Sequence, residues 1–128
     1  MSKLDQLRKN DMLNHLLDAL EQGKDIGHYG RLVFAMVAHH FLDEDELVKC
    51  LAKCKDFDED QARALVMQVK QRDYNPPKRE KILQFQQQQD FPICPTDDPD
   101  ACNVYKNLTF PEEVYQHINE YYQQKANA

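Results

Sequence analysis

At 128 residues, with 41% apolar and 30% charged side chains, the chain has the size of one domain and can bury a core. Its net charge of −6 excludes a protein that holds nucleic acid by bulk basic charge, and no apolar run approaches the roughly 20 residues of a membrane span. Three glycines, no tryptophan and plentiful Leu, Gln, Lys, Asp and Glu favour helices over strands.

Ser2 followed by Asp5 has the form of a helix cap, and Leu4 and Leu7 begin an apolar stripe. Leu13, Leu16, Leu17 and Leu20 continue it at helical spacing, with Asn10-Asp11 as the point where this first helix breaks. Gly23 ends it as a residue free to take positive φ. All three glycines lie between positions 23 and 30, directly before Leu32 to Ala38, the most apolar stretch of the chain. That run is expected to form the centre of the bundle, in a second helix from about His28 to Phe41.

Asp43 with Glu46, and Asp58 with Gln61, are capping pairs for a third and a fourth helix. Acidic residues in first helical turns explain why residues 43–60 sum to −5. Leu47, Val48 and Leu51 form one inner face; Ala62, Leu65, Val66 and Val69 form the other. Asn75-Pro76-Pro77 stops the fourth helix and starts a fifth, with Ile82, Leu83 and Phe85 inward and Gln86 to Gln89 as a polar tail. Residues 90–108, rich in Pro and Asp, read as an ordered extended loop anchored by Ile93, Val104 and Tyr105. Thr109 and Glu112 then cap a last helix carrying Val114, Tyr115, Ile118 and Tyr122, with residues 123–128 frayed. The expected fold is all-α: residues 1–128 as a single compact bundle of five to six helices with an extended proline-rich loop.

The N-terminus shows no apolar signal segment, so a cytoplasmic protein is expected, with its four cysteines mostly as thiols. Cys50 and Cys54 share a helical face, while Cys94 and Cys102 bracket the acidic loop. Four thiolates suit zinc or an iron–sulfur cluster, but neither spacing is the short knuckle of such sites, and burial is the simpler reading for Cys50 and Cys54. No cofactor is expected. His39-His40 suits a helix C-terminus; His40 with Asp43 or Asp45 has no spacing that demands a metal. With no nucleophile–base set and no phosphate-binding glycine motif of known form, catalysis by this chain alone is not expected.

Two local basic clusters remain. Lys24, His28 and Arg31, with Tyr29 among them, stand at the start of the second helix, where free N–H groups favour an anion. Arg72, Tyr74, Lys78 and Arg79, together with Lys70 and Lys81, fall in residues 70–81, which sum to +3. Arginine forks match phosphate, and tyrosines stack on bases. Packing alone would also explain the glycines, and helix-end charge the lysines and arginines.

These residues resemble a known family. Asn14-His15-Leu16-Leu17-Asp18-Ala19-Leu20-Glu21 through Gly27-His28-Tyr29-Gly30-Arg31-Leu32 resembles the segment of the archaeal and eukaryotic DNA primase large subunit that ends in His-Gly-Gly-Arg. Arg72-Asp73-Tyr74-Asn75-Pro76, then Lys81-Ile82-Leu83, looks like that family's Asp-Tyr-x-Pro and Lys-Ile-Ile stretch, and Cys94-Pro95 like its Cys-Pro ligand. The likeness covers about residues 11–96. It implies a helical domain that grips template-primer and an initiating triphosphate, with His28 and Arg31 on the phosphates and Tyr74 near the template. In that family the domain also carries a four-cysteine iron–sulfur cluster; here Asp11 and Arg79 stand where the family has cysteines, and Cys102 follows Cys94 too closely for its last ligand, so these departures from the family argue against a cluster.

The expected function is therefore a non-catalytic module that binds nucleic acid or a nucleoside triphosphate and works in DNA replication beside a catalytic primase or polymerase chain. The alternative is an acidic helical protein–protein adaptor that does not bind nucleic acid.

Overall fold

Side-chain caps decide where three of the helices begin. In the computed structural model, which describes residues 3–72 and 74–118, Asn10 Oδ1 accepts the N–H groups of Met12 and Leu13, both at 3.1 Å, and so starts a new helix after a short first one. Asp43 accepts the Glu46 N–H at 2.8 Å. Asp58 and Gln61 form a reciprocal pair, 2.8 and 3.0 Å. The helices are α1 (Lys3–Leu7), α2 (Asp11–Glu21), α3 (Gly27–Ala38), α4 (Glu44–Leu51), α5 (Glu59–Arg72) and α6 (Arg79–Gln86), followed by a 3-10 turn at Pro99–Cys102 and helical residues 112–118. No strand occurs among the described residues, and no helix there is long and apolar enough to cross a membrane. The Ser2 cap, Tyr122 and the tail at 123–128 lie outside the described residues.

The Gly23 stop is seen in its bonds. Gly23 has φ +72, its N–H reaches the Leu20 carbonyl and the Lys24 N–H reaches the Ala19 carbonyl, each at 3.0 Å, which satisfies carbonyls the helix end would leave unpaired. The α3 helix is fully buried from Val33 to Ala38. It packs on α2, α4, α5 and α6, which explains why its sequence is apolar on every side. It ends at Ala38 rather than Phe41. His40 and Phe41 N–H groups turn back to Val37 and Ala38, tightening the chain so that Leu42 re-enters the core.

Three further details differ from expectation. Pro76 and Pro77 lie before α6, not in its first turn, and residues 74–78 cross the bundle without helical structure. Gln86 to Gln89 is no solvated tail. Gln86 Oε1 accepts the Cys94 N–H at 2.7 Å, Gln88 accepts the Tyr29 hydroxyl at 2.8 Å, and Gln89 bonds three backbone groups. The cysteines divide two and two: Cys50 and Cys54 are buried thiols, whereas Cys94 and Cys102 are disulfide-bonded with Cα atoms 5.2 Å apart.

Caps also set an acid limit on stability. Hydrogen bonding to the Glu46 N–H holds the Asp43 carboxyl below its ordinary value, and the Lys106 ammonium does the same for Asp100. A carboxyl depressed on folding stabilises above its unfolded pKa, about 4, and loses that contribution as pH falls through the folded value. The urea midpoint should be flat from pH 7 to pH 5 and decline below about pH 4. Asp43→Asn, which keeps a capping oxygen, should flatten part of that decline; an identical decline in the variant rules out Asp43 as a source.

Candidate functional site

Prolines build the main recess. Neither Pro76 nor Pro77 can donate a backbone hydrogen bond, and each keeps the residue before it out of the helical region, so residues 74–78 run without helical structure beside Leu32 and Met36 of α3. There both prolines are buried and Tyr74 is half-buried. The Tyr105 hydroxyl donates to the Pro76 carbonyl at 2.8 Å, fixing the far wall. Burial pushes the Tyr105 phenol pKa upward, which keeps it a donor through neutral pH. From α6, Phe85 stacks on Tyr29 of α3 with ring centres 5.0 Å apart and planes 17° from parallel. Lys81, one helical turn before Phe85, holds its ammonium 5.2 Å from that ring centre.

The result is a groove of about 740 Å³. Leu32 and Met36 of α3, Pro76, Pro77 and Ile118 give it apolar surface; Tyr74, Phe85 and Tyr105 give aromatic surface. Lys78, Glu80 and Lys81, all exposed, bring charge.

The start of α3 is organised differently. Arg31 is largely buried, with 17% of its side chain exposed, and pairs with Asp25 at 3.2 Å. Its guanidinium lies 4.4 Å over the Phe57 ring and its Nη1 donates to Cys54 Sγ at 3.5 Å. Two N–H groups of the first helical turn are also engaged, Gly27 by Asp25 Oδ1 and Tyr29 by Gln89 Oε1, each at 2.9 Å. His28 and Lys24 are exposed, and the His28 ring meets Tyr29 edge-on at 5.1 Å. A phosphate here would have to displace the Asp25 carboxylate from both Arg31 and the helix start.

The eight residues singled out in the sequence thus do not share one surface. Arg31 faces Cys54 and Phe57; Tyr29 faces α6; Tyr74 and Lys78 line the groove. Arg72 lies with Ala64, Met67, Gln68 and Gln71 along the outer side of α5, and Arg79 pairs with Glu80 at 3.3 Å. Lys81, Phe85 and Tyr105 belong to the groove but were not among the eight. The spacing of Lys81 and Phe85, one turn apart on a helix following an aromatic-proline segment, is the signal that points to them.

The cysteines are in separate places. Cys50 and Cys54 lie at the end of α4 and just after it, and burial raises the Cys50 thiol pKa, which makes it a poor nucleophile or ligand. Among the described residues no group of three or more His, Cys, Asp or Glu side chains is arranged to hold a metal ion. No protein-family model matches this chain, and comparison with characterised proteins and with solved structures gives no significant match.

Proposed function

We propose that the chain is a non-catalytic binding module that takes a single-stranded nucleic acid or a nucleotide in the groove of Tyr74, Lys78, Lys81 and Phe85. The carrying observation is the joint placement of aromatic faces and lysine ammoniums in one recess on an otherwise acidic protein. Every base has a π-face that an aromatic side chain can stack on, and lysines nearby take the phosphates. The primase-like Asp-Tyr-x-Pro likeness falls on the same Tyr74, and supports a partnership with a catalytic primase or polymerase chain. In this reading the strand is gripped at residues 74–85, while Arg31 serves the fold through Asp25 and Phe57.

Fluorescence anisotropy with a labelled 5′-triphosphorylated oligothymidylate tests it. Lys78→Ala with Lys81→Ala should weaken binding and lower the slope of log affinity against log salt by about 1.4, roughly 0.7 per phosphate contact on a single strand. His28→Ala should leave both unchanged. Salt-independent affinity, or loss of binding with His28→Ala alone, would sink the groove assignment.

A second reading has its own observation. Leu32, Met36, Pro76, Pro77 and Ile118 make an apolar floor suited to a partner's side chains, which is the adaptor alternative. Binding of a partner polypeptide that persists in the double lysine variant, with no oligothymidylate binding by the parent, selects it.

A further inference from the structure

One groove wall comes from no α-helix: Tyr105 reaches Pro76 from just beyond the loop that the Cys94–Cys102 disulfide closes. Cys102 is three residues from Tyr105, and the ring it closes has a sequence separation of only 8. Loop closure stabilises less as the ring shortens, so this bond constrains the unfolded chain less than a long-range bond would. The segment has other anchors. Ile93 and Val104 are fully buried, Cys94 N–H bonds Gln86, and Asn10 Nδ2 holds the Asn103 and Lys106 carbonyls. The bundle therefore has what it needs to fold with the bond open, and the bond adds a covalent tie three residues before Tyr105.

We propose that Cys94–Cys102 is a reversible dithiol–disulfide site that sets the affinity of the groove through Tyr105; this rests on the groove being the ligand site. In reduction, a thiolate of a small dithiol attacks Sγ of Cys94, the less completely buried residue of the pair (5% exposed against 0%), and Cys102 leaves as a thiolate that takes a proton. The second thiol of the reductant then displaces Cys94 as a thiol. Two electrons and two protons pass to the protein, and the reductant becomes a disulfide. Reoxidation by glutathione disulfide reverses this and releases two glutathione thiols. Cys50 and Cys54, both buried thiols, take no part.

The test uses the full chain equilibrated across a series of glutathione to glutathione-disulfide ratios. Alkylation after denaturation should count four thiols at the reducing end and two at the oxidising end. Hydrogen–deuterium exchange should rise with reduction over residues 94–106 and 74–78, with α2 to α5 unchanged. Oligothymidylate affinity should fall on the order of fivefold, the lower end of ordinary coupling between two sites. Cys94→Ser with Cys102→Ser should match the reduced chain and ignore the redox ratio, and Tyr105→Phe should show weak binding in both states with an unchanged thiol count. A thiol count fixed across the whole series, or exchange that ignores it, overturns the proposal. Redox-dependent exchange with no oligothymidylate binding in either state supports the clamp and overturns the nucleic-acid reading alone.

Discussion

Asn10→Ala should lower the free energy of unfolding by about 3 kcal/mol, a large loss for one polar side chain. Asn10 is 2% exposed, and every polar atom of its side chain is used. Its oxygen caps α2 through the Met12 and Leu13 N–H groups, and its amide donates to the Asn103 and Lys106 carbonyls, both at 2.9 Å. Removing the cap costs about 1 kcal/mol, and two tethering bonds cost about 1 kcal/mol each. Alanine leaves the four backbone partners behind with no side-chain partner. Asn10→Ser separates the two roles, because a hydroxyl can cap the helix but cannot reach two carbonyls 93 and 96 residues away. Its loss should be about 2 kcal/mol, in step with the two tethers. Urea denaturation of the three proteins decides it. A serine variant as stable as the parent removes the tether from the account, and an alanine variant within about 0.5 kcal/mol of the parent removes both roles.

What could be read in advance follows from the range of the interactions. The Asp43–Glu46 and Asp58–Gln61 caps and the Gly23 stop are local, because partners lie within one or two helical turns and the residue types declare themselves, while the run from Val33 to Ala38 declares its burial by being apolar throughout. Asn10 was legible as the break between two helices, but not as the tether of a loop 93 residues away. Gln86 to Gln89 looks like solvated surface in any local window. Only the return of the chain past α3 brings these amides to Tyr29, Ile26 and Cys94. Arg31 misleads for the same reason. An arginine at a helix start reads as an anion site until Asp25, Phe57 and Cys54 close around it. The groove was half legible: Tyr74 and Lys78 stand in a basic, proline-marked stretch, while Leu32 and Tyr105 join them only in three dimensions. The cysteine pair was hidden by the inference from compartment, which has nothing to say about two cysteines held 5.2 Å apart at their Cα atoms.

Gly27→Ala should cost about 3 kcal/mol, and about half of that should vanish when Gln89 is absent. Gly27 has φ +79, a conformation that costs an L residue about 1–2 kcal/mol. An alanine Cβ would also stand 2.4 Å from Gln89 Oε1 and 2.8 Å from its Nε2. The amide end is flexible and would move, but it would then give up the Tyr29 N–H and the Ile26 and Phe91 carbonyls. These bonds are worth about 1 kcal/mol each at most, so their loss matches the backbone strain in size. Gly23 is the control. It has φ +72 with nothing within 4 Å of an added Cβ, so Gly23→Ala should show the strain alone. A double-mutant cycle of Gly27→Ala with Gln89→Ala should give a coupling of about 1–2 kcal/mol, since two neighbours sharing one set of bonds cannot lose it twice. Additive effects would mean that Gln89 accommodates the methyl group without leaving its partners. The cycle also reaches the groove. Tyr29 backs Phe85 and takes its helical seat from Gln89, so Gly27→Ala should weaken oligothymidylate binding, whereas Gly23→Ala should not.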